Sequence, residues 1–264
     1  MIVCVRGMGE LGTAVAHLLF RLGLKVFGTE LPNPLAIRRP VCFSEVMNHG
    51  NQVVQGIKAT RAASSELEAY WSRDMVPVIT DDLTRIQSMG IDACVDARML
   101  KQEVDSLITL APISVGLGPG FHAGKNCNVV IETARGHDLG RLIWAGPAKP
   151  NTGIPGNIGG ESIKRLIKAP CEGKVRWLVR FGDRVEKNQT VGRMDNDTAV
   201  FANTSGIVRG MIDENVMTST GMKIGDVDPR GESVDHELIS EKARLVAYGV
   251  FEAIRLLTKD KIYE

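Results

Sequence analysis

The stretch "MIVCVRGMGELGTAVAHLLFRLG" restricts the fold more than any other in the sequence. Met1 to Val5 is a continuous apolar run, as a parallel strand buried on both faces requires. It leads into Gly7-Met8-Gly9-Glu10-Leu11-Gly12, a G-x-G-x-x-G spacing, and then into apolar side chains repeating at helical period as far as Gly23. The glycines have distinct roles, in that Gly7 makes the turn, Gly9 lets the backbone approach a pyrophosphate, and Gly12 lets helix and strand pack. The helix amino terminus adds partial positive charge. A second strand, "KVFGTE", ends in Glu30, somewhat under the ~20 residues beyond the glycines at which an acid usually meets a ribose hydroxyl. The whole reads as a Rossmann-like unit binding a nucleotide, NAD(P) or another; the plainer alternative is a tight turn with no ligand.

Strand candidates at "CFSEV", "VVQGIKAT", "VPVIT" and "ACVDAR" alternate with helix candidates at "SSELEAYWSRD" and "DDLTRIQSMG", which argues α/β. Ligand sites in open α/β sheets lie beyond the carboxyl ends of strands, so the residues there are the ones to follow. Thr60 and Arg61 precede a helix capped by Ser64 or Ser65. Asp96, Arg98 and Lys101 follow a buried strand; they read either as a strand-end ion pair with a solvated lysine or as a polar cluster facing the crevice.

From Ala111 the chain is dense in glycine and proline, yet two strand patterns, "NVVIETA" and "GRLIWAG", interrupt it. A flexible linker would not carry those, so residues 111–168 are expected to form an ordered connector with a hairpin joined by 135–140. Gly116, Gly118 and Gly120 either direct backbone amides at an anion or serve turn geometry alone. His122 and His137 sit in loops, where an imidazole titrating near neutrality can work. With Glu132 and Arg135, His137 makes an anion-binding or proton-transfer set, or else a set of structural pairs across the hairpin. His17, within the first helix, reads as a core or surface residue. No H-E-x-x-H or G-x-S-x-G spacing occurs, so neither a zinc site nor a hydrolase elbow is expected.

The carboxy-terminal half contains a repeat. "APCEGKV" (169–175) and "ANTSGIV" (202–208) are offset by 33 residues, and Val191-Gly192 matches Ile224-Gly225 at the same offset. Two interleaved copies of strand, turn and strand make a small barrel. The stretch 169–208 resembles the biotinyl/lipoyl barrel-sandwich domain. That resemblance puts the modified lysine of such domains at Asp195, eleven positions before Gly206, and an aspartate cannot be acylated; neither biotin nor lipoate is expected. From His236 onward, Leu238, Ile239, Leu245, Val246, Val250, Ile254 and Leu257 repeat at helical period, and this helix packs on the protein or meets a partner helix.

The 264 residues, 44% apolar, suffice for more than one core. A formal charge of +1, spread along the chain, gives no basic stripe for nucleic acid and no polybasic patch for a membrane. Met1 leads directly into the first strand without a charged leader, so a cytoplasmic location is expected. The five cysteines lack any close pair and read as buried thiols.

Segments throughout the chain, among them "RGMGELGTAVAHLL", "ATRAASSEL", "VDARMLK", "NTGIPG", "KIGDVDPR" and "ISEKARLVAYGVFEAI", resemble the selenium-dependent molybdenum hydroxylase system proteins. The Rossmann-like half also resembles that of xanthine dehydrogenase accessory proteins. The resemblance implies a maturation role with a molybdenum hydroxylase or its maturation machinery as partner, and supplies no catalytic residues. The expected organisation is a Rossmann-like domain over 1–110, the connector over 111–168, a barrel-sandwich-like domain over 169–230 and a helix over 231–264, with self-association into a homo-oligomer left open. Three functions stand: an accessory factor binding a nucleotide or molybdopterin-like anion, an NAD(P)-dependent oxidoreductase recruiting Lys101, His122 or His137, and a noncatalytic binding module.

Overall fold

A computed structural model describes residues 1–80, 82–100, 102, 104–154, 156–233 and 235–259. The chain divides into two units, Met1–Pro32 with Cys42–Thr152 and Ile239–Glu264, and Asn33–Val41 with Gly153–Leu238.

The first unit is built on β1 (Ile2–Arg6), α1 (Glu10–Arg21), β2 (Lys25–Glu30), α2 (Val46–His49), β3 (Asn51–Val54), β4 (Ile57–Arg61), α3 (Leu67–Trp71), β5 (Met75–Thr80), α4 (Leu83–Ser88), β6 (Ala93–Asp96), β7 (Ile113–Leu117), β8 (His122–Ala123), β9 (Val129–Ile131), β10 (Leu142–Ile143) and β11 (Gly146–Pro147). Nine of these strands form one sheet in the order β10-β9-β7-β6-β1-β2-β5-β4-β3. The inner run β5-β2-β1-β6-β7-β9 is wholly parallel and has the order of doubly wound dinucleotide-binding sheets, with the switch point between β1 and β6. The α/β expectation is met.

Alternate side chains explain the layering. Cys4, Phe27 and Cys94 face a cluster with Leu67 of α3 and Ile86 of α4, and the Trp71 indole N–H donates to the Val26 carbonyl at 2.7 Å. α1 and the carboxy-terminal helix α5 (Glu241–Lys259) pack on each other and on β1, β2, β7 and β9. Small residues allow this approach: Gly12, Ala14 and Ala16 on α1 and Ala243, Ala247 and Ala253 on α5 are buried. Among the described residues no helix is long and apolar enough to cross a membrane.

Three local expectations are corrected. "CFSEV" is a single turn of 3-10 helix over Phe43–Glu45 leading into α2, because its amides bond to α1 and the glycine turn instead of to a neighbouring strand. "VVQGIKAT" is a hairpin: Gln55 (φ 44°) and Gly56 (φ 85°) both take the left-handed conformation of a two-residue turn. The last helix starts at Glu241, where the Ser240 hydroxyl accepts the Ala243 amide at 3.3 Å, and Leu245 is exposed on it.

The second unit contains β12 (Leu166–Lys168), β13 (Val175–Trp177), β14 (Arg184–Val185), β15 (Thr190–Met194), β16 (Ala199–Phe201), β17 (Gly206–Met211) and β18 (Lys223–Asp228). They form two small antiparallel sheets, β12-β18-β17-β14 and β13-β15-β16. Val175, Val191, Val200, Val208, Ile212, Ile224 and Val227 fill the core between them. The repeat is visible in the packing. Gly173 (φ 138°) closes against the Asp195 carboxylate and Gly206 (φ 153°) against the Asp228 backbone, and Asp195 and Asp228 are themselves 33 residues apart. Asp195 starts the β15–β16 turn, where its Oδ2 accepts the Lys174 amide at 3.0 Å. The Asp195 carboxylate thereby locks the turn.

Candidate functional site

Seven parallel strands, β4, β5, β2, β1, β6, β7 and β9, end on one edge of the sheet, and the candidate residues are distributed along that edge. At its centre is the glycine turn. Gly7 has φ 84°, gives its amide to Thr29 O at 2.9 Å, and would bring a Cβ to 2.9 Å from the Arg98 backbone. A Cβ on Gly12 would lie inside the Gly7 carbonyl. The fold itself therefore requires glycine at both positions. Gly9 differs: it caps α1 with φ −64° and ψ −174°, and a Cβ there would meet nothing within 4 Å. Its lack of a side chain leaves open space at the helix amino terminus.

The turn is held from two sides. Glu30, at the end of β2, accepts the Met8 amide through Oε2 and the Leu31 amide through Oε1, both at 2.8 Å. The Met8 side chain is buried against Gly28. On the other side, the Thr13 hydroxyl donates to Met8 O at 2.9 Å and accepts the Phe43 amide at 2.8 Å, while the Ser44 amide donates to Met8 O at 2.9 Å. Glu10 accepts the Ser240 amide at 3.1 Å, and Leu11 is half-buried.

At the end of β6, Asp96 is 1% exposed and takes Arg98 Nε at 2.9 Å and Nη2 at 2.6 Å. Arg6, also 1% exposed, brings Nη1 to 3.6 Å from the same carboxylate. Arg98 thus lies across Gly7 while Asp96 binds it, so the ion pair and the glycine turn are one assembly. Sequence reading missed Arg6, although an arginine ending an otherwise apolar buried strand is itself a signal, since a buried charge needs a partner. Lys101 lies outside the described residues.

The other candidates are placed separately. Thr60 is buried with its hydroxyl on Gly50 O at 3.3 Å, and Arg61 is exposed; both end β4, with β5 between them and β2. The Gly118 amide donates to Ile131 O at 2.9 Å, Thr133 presses on Gly118, and Gly120 (φ 105°) packs on the Gln102 carbonyl; Gly116 packs on Phe121. These glycines each have a packing reason. His122 is exposed with Nδ1 3.1 Å from Ala123 O, and His137 is exposed. Buried Glu132 accepts the amides of Ala134 at 2.7 Å and Lys149 at 2.9 Å, whereas Arg135 pairs with Glu241 at 2.6 Å. Glu132 and Arg135 therefore hold different segments and do not meet. Nearby, the bond and charge of Lys149 hold the half-buried Asp138 carboxyl below its usual range.

Burial pushes the Cys127 thiol up to about 11, so it remains a neutral, poorly nucleophilic thiol at ordinary pH. Cys4, Cys42 and Cys94 are also buried, and only Cys171 is partly exposed, with Sγ 3.4 Å from Asn196 Nδ2. Iodoacetamide applied to the folded protein is expected to label Cys171 well ahead of the other four, as mass spectrometry of the digested protein would read. Equal labelling of Cys127 would contradict this.

No family model matches the chain. An aspartoacylase family protein from Mesorhizobium loti aligns over 86% of this chain and 84% of its own, at 11% identity and a TM-score of 0.29. A succinylglutamate desuccinylase/aspartoacylase from Rhodobacter sphaeroides aligns over 86% and 84%, at 15% identity and 0.27. Scores this low carry no inference about fold or activity. In sequence the chain is 39% identical over 258 residues, 97% of its length, to the uncharacterized protein YqeB of Escherichia coli (strain K12), and it spans about half (48%) of that protein.

Proposed function

We propose that the protein is an accessory factor in the maturation of a selenium-dependent molybdenum hydroxylase, binding a nucleotide or a molybdopterin-like anion at the glycine turn and docking a client enzyme through the second unit. The observation that supports ligand binding is Gly9. Its neighbours Gly7 and Gly12 are explained by the fold, whereas Gly9 has ordinary dihedrals and open space, which suits the close approach of a phosphate to backbone amides at a helix amino terminus. The maturation role itself rests on the sequence resemblance.

Calorimetric titration with NADH, NADPH and ATP is expected to show one ligand bound per chain. Absence of heat with all three would remove the nucleotide. Deleting the gene is expected to leave the client hydroxylase present but deficient in selenium; an unchanged selenium content would sink the maturation role. A second reading, an NAD(P)-dependent oxidoreductase, is favoured by Glu30 at the end of β2. Steady turnover of bound NADH with a carbonyl substrate would select it over the first.

A further inference from the structure

The helix α5 buries Val246, Val250 and Ile254 but turns Leu245, Tyr248 and Leu256 outward, 49%, 58% and 41% exposed. With Leu139 and Phe251 they line an open groove of about 480 Å³. Glu252 and Arg255 stand on the same groove, one turn apart. Among the described residues neither forms an ion pair or a side-chain hydrogen bond, so both charges are available to a partner.

We propose that this groove is a self-association surface, on which a second copy of the chain lays its own α5 antiparallel about a two-fold axis midway between Glu252 and Arg255. A two-fold axis presents the same patch on both sides, so the patch must complement itself. Here it does. About that axis Glu252 faces the partner's Arg255 and Arg255 faces the partner's Glu252, while Phe251 and Leu256 meet the partner's Leu256 and Phe251. A parallel arrangement would set like charges together, and the antiparallel one also opposes the two helix dipoles. The charge pattern therefore selects both the occupant and its direction. The surface is independent of any ligand at the glycine turn.

Sedimentation equilibrium of the full chain is expected to show a species of twice the 28.7 kDa chain mass as concentration rises. Glu252→Arg and Arg255→Glu, each of which creates two like-charge contacts, are each expected to weaken association by about tenfold or more. Mixing the two variants in equal amounts restores opposite charges at both contacts and is expected to recover the dimer. Leu256→Glu, which sets a carboxylate against the partner's Phe251, is expected to give a monomer with unchanged circular dichroism and melting temperature. A monomer at every concentration up to the solubility limit would overturn the proposal. Single variants that associate as tightly as the parent would overturn it as well, as would a mixture that fails to recover.

Discussion

Gly12→Ala is expected to destabilise the first unit by about 3 kcal/mol or more, whereas Gly9→Ser should change stability by no more than about 0.5 kcal/mol and weaken ligand binding by at least about tenfold. The two glycines are three residues apart in one motif, but their surroundings are opposite. At Gly12 an added Cβ would overlap the Gly7 carbonyl, and that carbonyl belongs to a turn fixed by the Thr29 and Glu30 contacts. A flexible side chain could yield; this backbone cannot. At Gly9 the added side chain meets no protein atom, and serine is a preferred amino-terminal cap whose hydroxyl accepts amides of the first helical turn. The same hydroxyl would occupy the space and the donors that a phosphate needs. Thermal melts and calorimetric titrations of both variants check the pair. If Gly9→Ser lost stability as Gly12→Ala does, Gly9 would be a fold glycine and the argument for a ligand would fail.

The parallel sheet was legible in the sequence because its strands are buried on both faces and so read as unbroken apolar runs, "IVCV" and "ACV" among them. The repeat was legible because the glycines at 173 and 206 have the same conformational need. What sequence did not reveal depends on contacts between distant segments. The turn at 43–45 is set by Thr13 and Met8, thirty or more residues earlier, and a local apolar run cannot announce such partners. The inward charge of Arg6 was hidden for the same reason, since its partner Asp96 comes from a strand ninety residues later. In α5, helical periodicity put Leu245 on one stripe with Val246 and Val250 without saying which of them packs inward, and the narrow face available beside α1 is filled by alanines and valines. Small residues at helical spacing carry as much information about packing as the large ones.

The second unit holds an ionic ladder that yields the other large expectation. Asp226, 1% exposed, binds the Arg165 guanidinium and Arg209 Nε at 3.0 Å; Arg209 continues to Asp228 at 2.8 Å, and Asp228 also takes Arg230 Nη2 at 2.8 Å. Arg165 and Arg209 are each more than nine-tenths buried, so neither can be rehydrated if its carboxylate is lost. Asp226→Ala is therefore expected to cost about 3–5 kcal/mol, the range for removing one partner of a buried ion pair. The charge is left behind, and that is the source of the cost. Removing both ends, as Arg165→Met with Asp226→Leu, should cost less than Asp226→Ala alone, because two apolar side chains do not need the solvation that a stranded guanidinium does. The ladder also responds to acid. Burial pushes the Asp228 carboxyl up, but the bonds from Arg230 and the charges of Arg209 and Arg230 outweigh it and hold the group below its ordinary value. The folded state thus binds its proton less readily than the unfolded chain does. The stabilisation is fully present above the unfolded carboxylate pKa of about 3.9 and is lost as pH falls through the lower folded value. Urea melts of the parent and both variants at neutral pH, and of the parent down to acid pH, read these effects. If the double variant proved less stable than Asp226→Ala, the cost would lie in packing instead of in stranded charge.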